Sequence, residues 1–235
     1  MSTTRSKKKD RLIADLNSLW KDQQDHILIA TAIQALDTRY DLIGKIMKEP
    51  GVEEIIQQMF GRLANSFERV SEIQNKKILD IACGSNTSKA PPSLFIDTPF
   101  GKKAVRSSSK DYTAQFEPWF CRILLELGAN PVGIDVGDLE SERFVHYRVD
   151  LGRIGALDFL QDHSFDAIQD SRLFGSPEFT AQFPNQADRL QIAQEIKRQE
   201  QRLLKAKGII IHSDANALLR KSNWGGEPDK DLKAV

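Results

Sequence analysis

Lys76-Lys77-Ile78-Leu79-Asp80-Ile81-Ala82-Cys83-Gly84-Ser85-Asn86-Thr87 is the stretch on which the fold turns. Its apolar opening reads as a buried parallel strand. It then passes into a small-residue turn where Gly84 permits backbone angles, or a close approach, that other residues do not. A turn at the carboxyl end of the first strand of an open α/β sheet lies where such sheets bind ligands. Upstream the pattern is helical. Leu12, Ile13, Leu16, Leu19 and Trp20 recur at helical spacing, Ile27 to Leu36 and Leu42 to Met47 continue the stripe, and Pro50-Gly51 interrupts it. A further helix is predicted from Val52 to about Ile73. The Lys7-Lys8-Lys9 run with Arg5 and Arg11 reads as a solvated tail.

Downstream, strands and helices alternate. A helix is predicted from Gln115, with Phe116, Trp119, Phe120, Ile123, Leu124 and Leu127 packing on the sheet and Gly128 ending it. Pro131 to Asp135 reads as the second strand and Phe144 to Val149 as a weaker third. Leu157, Phe159 and Leu160 suggest a short helix, and Phe165 to Asp170 the fourth strand. Ala187 to Leu204 reads as a long amphipathic crossover helix and Lys207 to Ser213 as the fifth strand, with a last helix over Ala215 to Lys221. The expected architecture is α/β: a Rossmann-like, open, mostly parallel sheet with an N-terminal helical extension and an abbreviated C-terminal end. The extension covers 1–75 and the sheet domain 76–235, with an insertion at about 88–117. That insertion carries Pro91-Pro92, Pro99, Gly101 and Ser107-Ser108-Ser109. It reads as a loop without secondary structure, hence as a lid beside the Gly84 turn or an incidental insertion.

The composition is that of a globular protein, 40% hydrophobic and 28% charged over 235 residues. Thirty-three basic residues balance thirty-three acidic ones, which gives no support to a general nucleic-acid binder. Cys83 and Cys121 are the only cysteines, and with four histidines they show no zinc-site spacing and no disulfide framework. A reduced interior is expected. No signal peptide and no membrane-spanning run is recognisable, so the expected location is cytoplasmic.

Asp80 and Gly84, Asp135, Asp150, the Phe165-Asp166 phrase and the strand after Gly208 occur in an order that resembles the class I S-adenosylmethionine-dependent methyltransferases. The resemblance spans roughly 76–214. It implies methyl transfer from S-adenosyl-L-methionine to a small-molecule acceptor. The cofactor residues it implies are Asp80, Ala82, Gly84, Asn86, Asp135, Val136, Asp150, Leu151 and Asp170. Asp135 falls where the family's acid accepts from the ribose hydroxyls and Asp150 near the adenine position, although Asp150 equally reads as a cap or turn residue. Asp80 reads either as a ligand contact or as a brace for the glycine turn. The family's second glycine is replaced by Asn86, a residue tolerant of a left-handed backbone. Asp135 lies 55 residues after Asp80 rather than about 20. A nicotinamide dehydrogenase would require glycines where Asn86 and Lys89 stand. The Asn/Asp-Pro-Pro-aromatic signature of enzymes that methylate nucleic-acid amino groups is absent.

Methyl transfer asks chiefly for alignment of two bound partners, so no catalytic dyad is required. His212, assisted by Asp214 or Asp170, is the candidate base for a hydroxyl acceptor, and a histidine satisfied by nearby backbone is the plainer reading. Tyr112 is the candidate substrate contact beside the insertion. The N-terminal helices read as a cover over the crevice, a packing element or a homodimer interface. An inactive methyltransferase-like partner-binding protein and a protein or RNA methyltransferase are the alternative functions.

Overall fold

The computed structural model describes residues 3–49, 51–85, 95–98, 101–104, 114–170, 173–174 and 177–222. Helices α1 (Thr3–Asn17), α2 (Gln23–Tyr40), α3 (Leu42–Lys48) and α4 (Gly51–Ser66) precede strand β1 (Lys77–Ile81). A short hairpin, β2 (Phe95–Thr98) and β3 (Gly101–Ala104), is followed by α5 (Trp119–Glu126), β4 (Asn130–Asp135) and β5 (Val145–Arg148). Then come β6 (Phe165–Asp170), α6 (Pro177–Gln182), α7 (Gln186–Leu203), β7 (Leu204–Ser213) and α8 (Asp214–Ser222).

Five strands form one sheet in the order β5-β4-β1-β6-β7, and every neighbouring pair is parallel. The chain adds strands to one side of β1 and then to the other, so the direction of winding reverses between β1 and β6. This is the Rossmann-like order, with its switch point above Ile81 and Asp170, which are partners in register. Both faces are covered. Alternation along β1 sends Ile78 into an apolar cluster shared by α1–α4 and α5. Leu79 and Ile81 enter a second cluster formed with Ile168, Ile192, Ile196 and Leu203.

Several expectations are corrected. The fourth helix ends at Ser66 rather than Ile73, because fully buried Asp25 on α2 accepts the Val70 backbone N–H (3.1 Å) and the Arg69 Nε–H (3.0 Å). These bonds pull the chain out of helical register into a 3-10 turn at Val70–Ile73. The helix expected from Gln115 is broken at Pro118. A 3-10 turn spans Ala114–Phe116, α5 begins at Trp119, and Phe116 is exposed rather than packed. The Trp119 indole N–H closes this corner on the Ala114 carbonyl at 2.6 Å.

The insertion holds the β2–β3 hairpin rather than only loop. Residues 149–164 form turns and no helix, so no crossover helix covers Tyr147 and Phe159, whose rings meet at 5.0 Å while both remain exposed. The basic run near the N terminus belongs to α1, where Arg5 pairs with Asp37 and Lys8 with Glu53. Strand β7 starts at Leu204, and its register with β6 is interrupted at Lys205–Gly208 and again at Ile211. Tyr112 and Asn86 lie outside the described residues.

Candidate functional site at the sheet switch point

The backbone leaves β1 through two residues of positive φ, Ala82 (59°) and Gly84 (92°). For alanine that region costs on the order of 1 kcal/mol, so the surrounding bonds must hold it. Three backbone donors of the turn do so. Cys83 N–H donates to the Ile134 carbonyl at 3.0 Å, Gly84 N–H to Asp135 Oδ2 at 3.0 Å, and Ser85 N–H to the Phe116 carbonyl at 3.0 Å. The other carboxylate oxygen of Asp135 accepts from the Gly137 N–H at 2.8 Å. Asp135 thus ties the turn after β1 to the turn after β4, across the open ends of two adjacent strands. Val136, next to it, is 55% exposed, and its carbonyl accepts the Arg148 Nε–H at 2.9 Å.

Glycines mark where backbones crowd this crevice. A Cβ on Gly84 would stand 2.2 Å from the Phe116 carbonyl oxygen, and one on Gly137 2.2 Å from Ser85 Oγ. The segment pressing on Gly84 is itself held by the N-terminal helices. Glu49, just past α3, accepts the Ala114 N–H at 2.9 Å, and Lys45 on α3 pairs with Glu117 at 2.5 Å. The helical extension is therefore mechanically connected to the turn through 114–117.

Asp80 is buried, with the Cys121 thiol of α5 at 3.7 Å and the Gln169 side-chain amide at 3.4 Å. Asp150 accepts from Gly152 N–H (3.0 Å) and Arg153 Nε (3.2 Å) in its own turn, and Leu151 is buried in the second apolar cluster. Ala82, Gly84, Asp135 and Val136 come together at the ends of β1 and β4, while Asp170 and His212 stand on the other side of the switch point. Among the described residues no group of three or more His, Cys, Asp or Glu side chains is placed to hold a metal ion, and no described helix is long and apolar enough to cross a membrane.

On that far side, Asp170 is fully buried. It accepts from Ser213 Oγ (2.9 Å) and from the Asp214 and Ala215 backbone N–H groups, which fixes the first turn of α8 to the end of β6. Immediately beyond, His212 Nε2 meets Asp214 Oδ1 at 2.9 Å. Glu200 of α7 packs against Asp170. Burial and the neighbouring Asp170 charge push its carboxyl from the usual 4.5 up to about 8, and burial raises Asp170 as well, so the pair holds a shared proton at neutral pH.

Sequence reading missed Glu200, yet it follows Ile192 and Ile196 at four-residue steps and precedes Leu203 by three. The helical period therefore places it on the buried stripe.

The folded state retains this proton where the unfolded chain has released it. Stability should therefore fall as pH climbs from about 4.5 to 8, by up to about 1.4 kcal/mol per unit from this group. Glu200→Gln keeps a donor toward Asp170 and removes the titration. Urea unfolding at acidic, neutral and mildly alkaline pH should show a shallower decline for the variant, and parallel pH profiles would refute the shared proton.

Comparison with known proteins gives little. No family model matches the chain and no curated protein matches it. A solved structure, the crystal structure of trans-methyltransferase CalH in complex with SAH, is similar over 88% of this chain at 12% identity with a TM-score of 0.31. The chain spans about half of that protein's length, 51%. The Rossmann-like assignment rests on the strand order and the switch point.

Proposed function

We propose that the chain binds S-adenosylmethionine at the crevice between the 82–85 turn and Asp135 and passes its methyl group to a small-molecule acceptor. The observation that carries this reading is Asp135, a carboxylate at the rim of the sheet that spans the β1 and β4 turns beside the exposed Val136. A carboxylate accepts up to about four hydrogen bonds, so bracing the turns and receiving a ribose hydroxyl are compatible roles. Val136 offers an apolar surface to a base. When bound, the cofactor supplies an electrophilic methyl on sulfur.

The chain's own residues bind and align, and for a hydroxyl acceptor they take up a proton. With Nε2–H donating to Asp214, His212 keeps Nδ1 as the accepting nitrogen. Asp170 acts as a positioning residue, because it holds the Asp214 backbone. His212 sits three strands from Asp135 in the sheet order, roughly 14 Å at the usual strand spacing. That separation leaves the switch point between them for the reacting groups.

Calorimetric titration with S-adenosylmethionine and with S-adenosylhomocysteine tests the reading. Saturable micromolar binding is expected, weakened at least about tenfold by Asp135→Asn, with a thermal melt establishing that the variant is folded. A folded wild type that binds neither compound overturns it. One observation favours a second reading, an inactive partner-binding relative: Ser85 is buried close against Gly137, across the mouth of the same crevice. Absence of binding would select that reading.

A further inference from the structure

The only two cysteines of the chain converge. Cys83 belongs to the turn, where its thiol donates to the Gly84 carbonyl at 3.3 Å, and Cys121 belongs to α5, and the two thiols lie close enough to influence each other's proton. A Cβ built on Gly133 would lie 2.9 Å from one sulfur and 3.3 Å from the other, so the absent side chain at 133 leaves the space they share. Leu139 and Phe144 close the cluster. Cys121 is fully buried and Cys83 is 6% exposed. The Cys121 thiol also points at Asp80 Oδ2, 3.7 Å away.

We infer that Cys83 and Cys121 are a modification site, closing into a reversible intramolecular disulfide when the protein meets a peroxide. The Cys83 sulfur attacks one peroxide oxygen; an S–O bond forms, the O–O bond breaks, and water leaves with the thiol proton. The Cys121 sulfur then attacks the Cys83 sulfur. An S–S bond of about 2 Å forms, the S–O bond breaks, and a second water leaves carrying the Cys121 proton, for which Asp80 is the adjacent acceptor. Two thiols lose two electrons and one peroxide becomes two waters.

Burial pushes both thiols above their ordinary range, so the attacking Cys83 thiolate is a small fraction at neutral pH and the cross-link should form slowly there and faster as pH rises. A reagent near the size of water suits so enclosed a pair better than a bulky one. The bond would fasten the turn to α5, one residue before Gly84. That this regulates cofactor binding rests on the function proposed above; the chemistry of the pair does not.

The test is to expose the native full chain to dilute hydrogen peroxide, then alkylate in denaturant without reductant and measure intact mass. The expected product has lost ~2 Da, carries no alkyl group, yields a cross-linked peptide pair containing Cys83 and Cys121, and recovers both thiols with dithiothreitol. Cys121→Ser should retain an oxygen adduct on Cys83 and form no such pair. Two alkylated cysteines, sulfinic acids in place of the cross-link, or disulfide-linked dimers would each overturn the inference. Thiol counting does not depend on cofactor binding, so its failure and that of the methyltransferase reading are separate results.

Discussion

Gly84→Ala is expected to lower stability by about 3 kcal/mol or more, a fall of roughly 6–12 °C in melting midpoint for a chain of this size. Two costs add. The φ of 92° is one that side-chain-bearing residues resist by about 1 kcal/mol. The new Cβ also meets the Phe116 carbonyl oxygen at 2.2 Å and that of Glu117 at 3.0 Å, backbone atoms that cannot rotate aside. Relief requires the 114–117 segment to retreat, which breaks the Ser85 N–H bond to Phe116 and disturbs the Glu49 and Lys45 links to α3. The damage should therefore reach the N-terminal helices. Gly61→Ala in α4 is the matched control, since nothing lies within 4 Å of its Cβ; that helix interior should gain about 0.5–1 kcal/mol. Melting curves decide it, with amide exchange at Ser85 as the local readout. Equal midpoints for the two variants would refute the close approach at Gly84.

The contrast between these glycines bears on what a sequence discloses. Gly84 and the apolar run before it are legible because a buried parallel strand followed by a small-residue turn is a local pattern. The same holds for β4, β6 and α7, whose limits fall within a residue of expectation. What presses on Gly84 is not local. The segment that needs the missing side chain lies more than thirty residues downstream and is positioned by α3, so no window around the turn contains the reason for it.

Asp25 shows the same limit. The apolar stripe predicts a longer α4, and a buried carboxylate more than forty residues upstream captures Val70 N–H and ends it. Pro118 interrupts the helix that the apolar positions around it predict, and α5 begins only at Trp119. At the candidate site, Asp135 is recognisable at its strand end, whereas its bonds to Gly84 and Gly137 depend on how two turns meet in space. The Cys83–Cys121 meeting is invisible for a related reason: spacing rules apply to metal sites and local motifs, not to a turn and a helix brought together across a sheet.

The largest single loss is expected at Arg122. Its guanidinium is buried on α5, takes both oxygens of Glu142 (2.6 and 3.2 Å), donates to Glu117, and stacks over Tyr40 at 4.2 Å and Trp119 at 4.8 Å. Lys45 of α3 reaches the same Glu117, so two cations and two carboxylates alternate between the N-terminal helices and the sheet. Arg122→Ala leaves Glu142 buried without its cation and Glu117 with Lys45 alone, at an expected cost of about 3–5 kcal/mol. Arg122→Lys retains the charge but loses the planar fork and the stack, so it should fall between Ala and wild type. The discriminating variant is Arg122→Met with Glu142→Leu, which removes a cation and an anion together and puts apolar volume in their place. It should recover a substantial part of the loss, because the penalty in the single variant comes largely from the stranded carboxylate. Urea unfolding of the four proteins measures all of this. If the double variant is less stable than Arg122→Ala, the network contributes attraction well beyond the cost of burying its charges, and the stranded-carboxylate account fails.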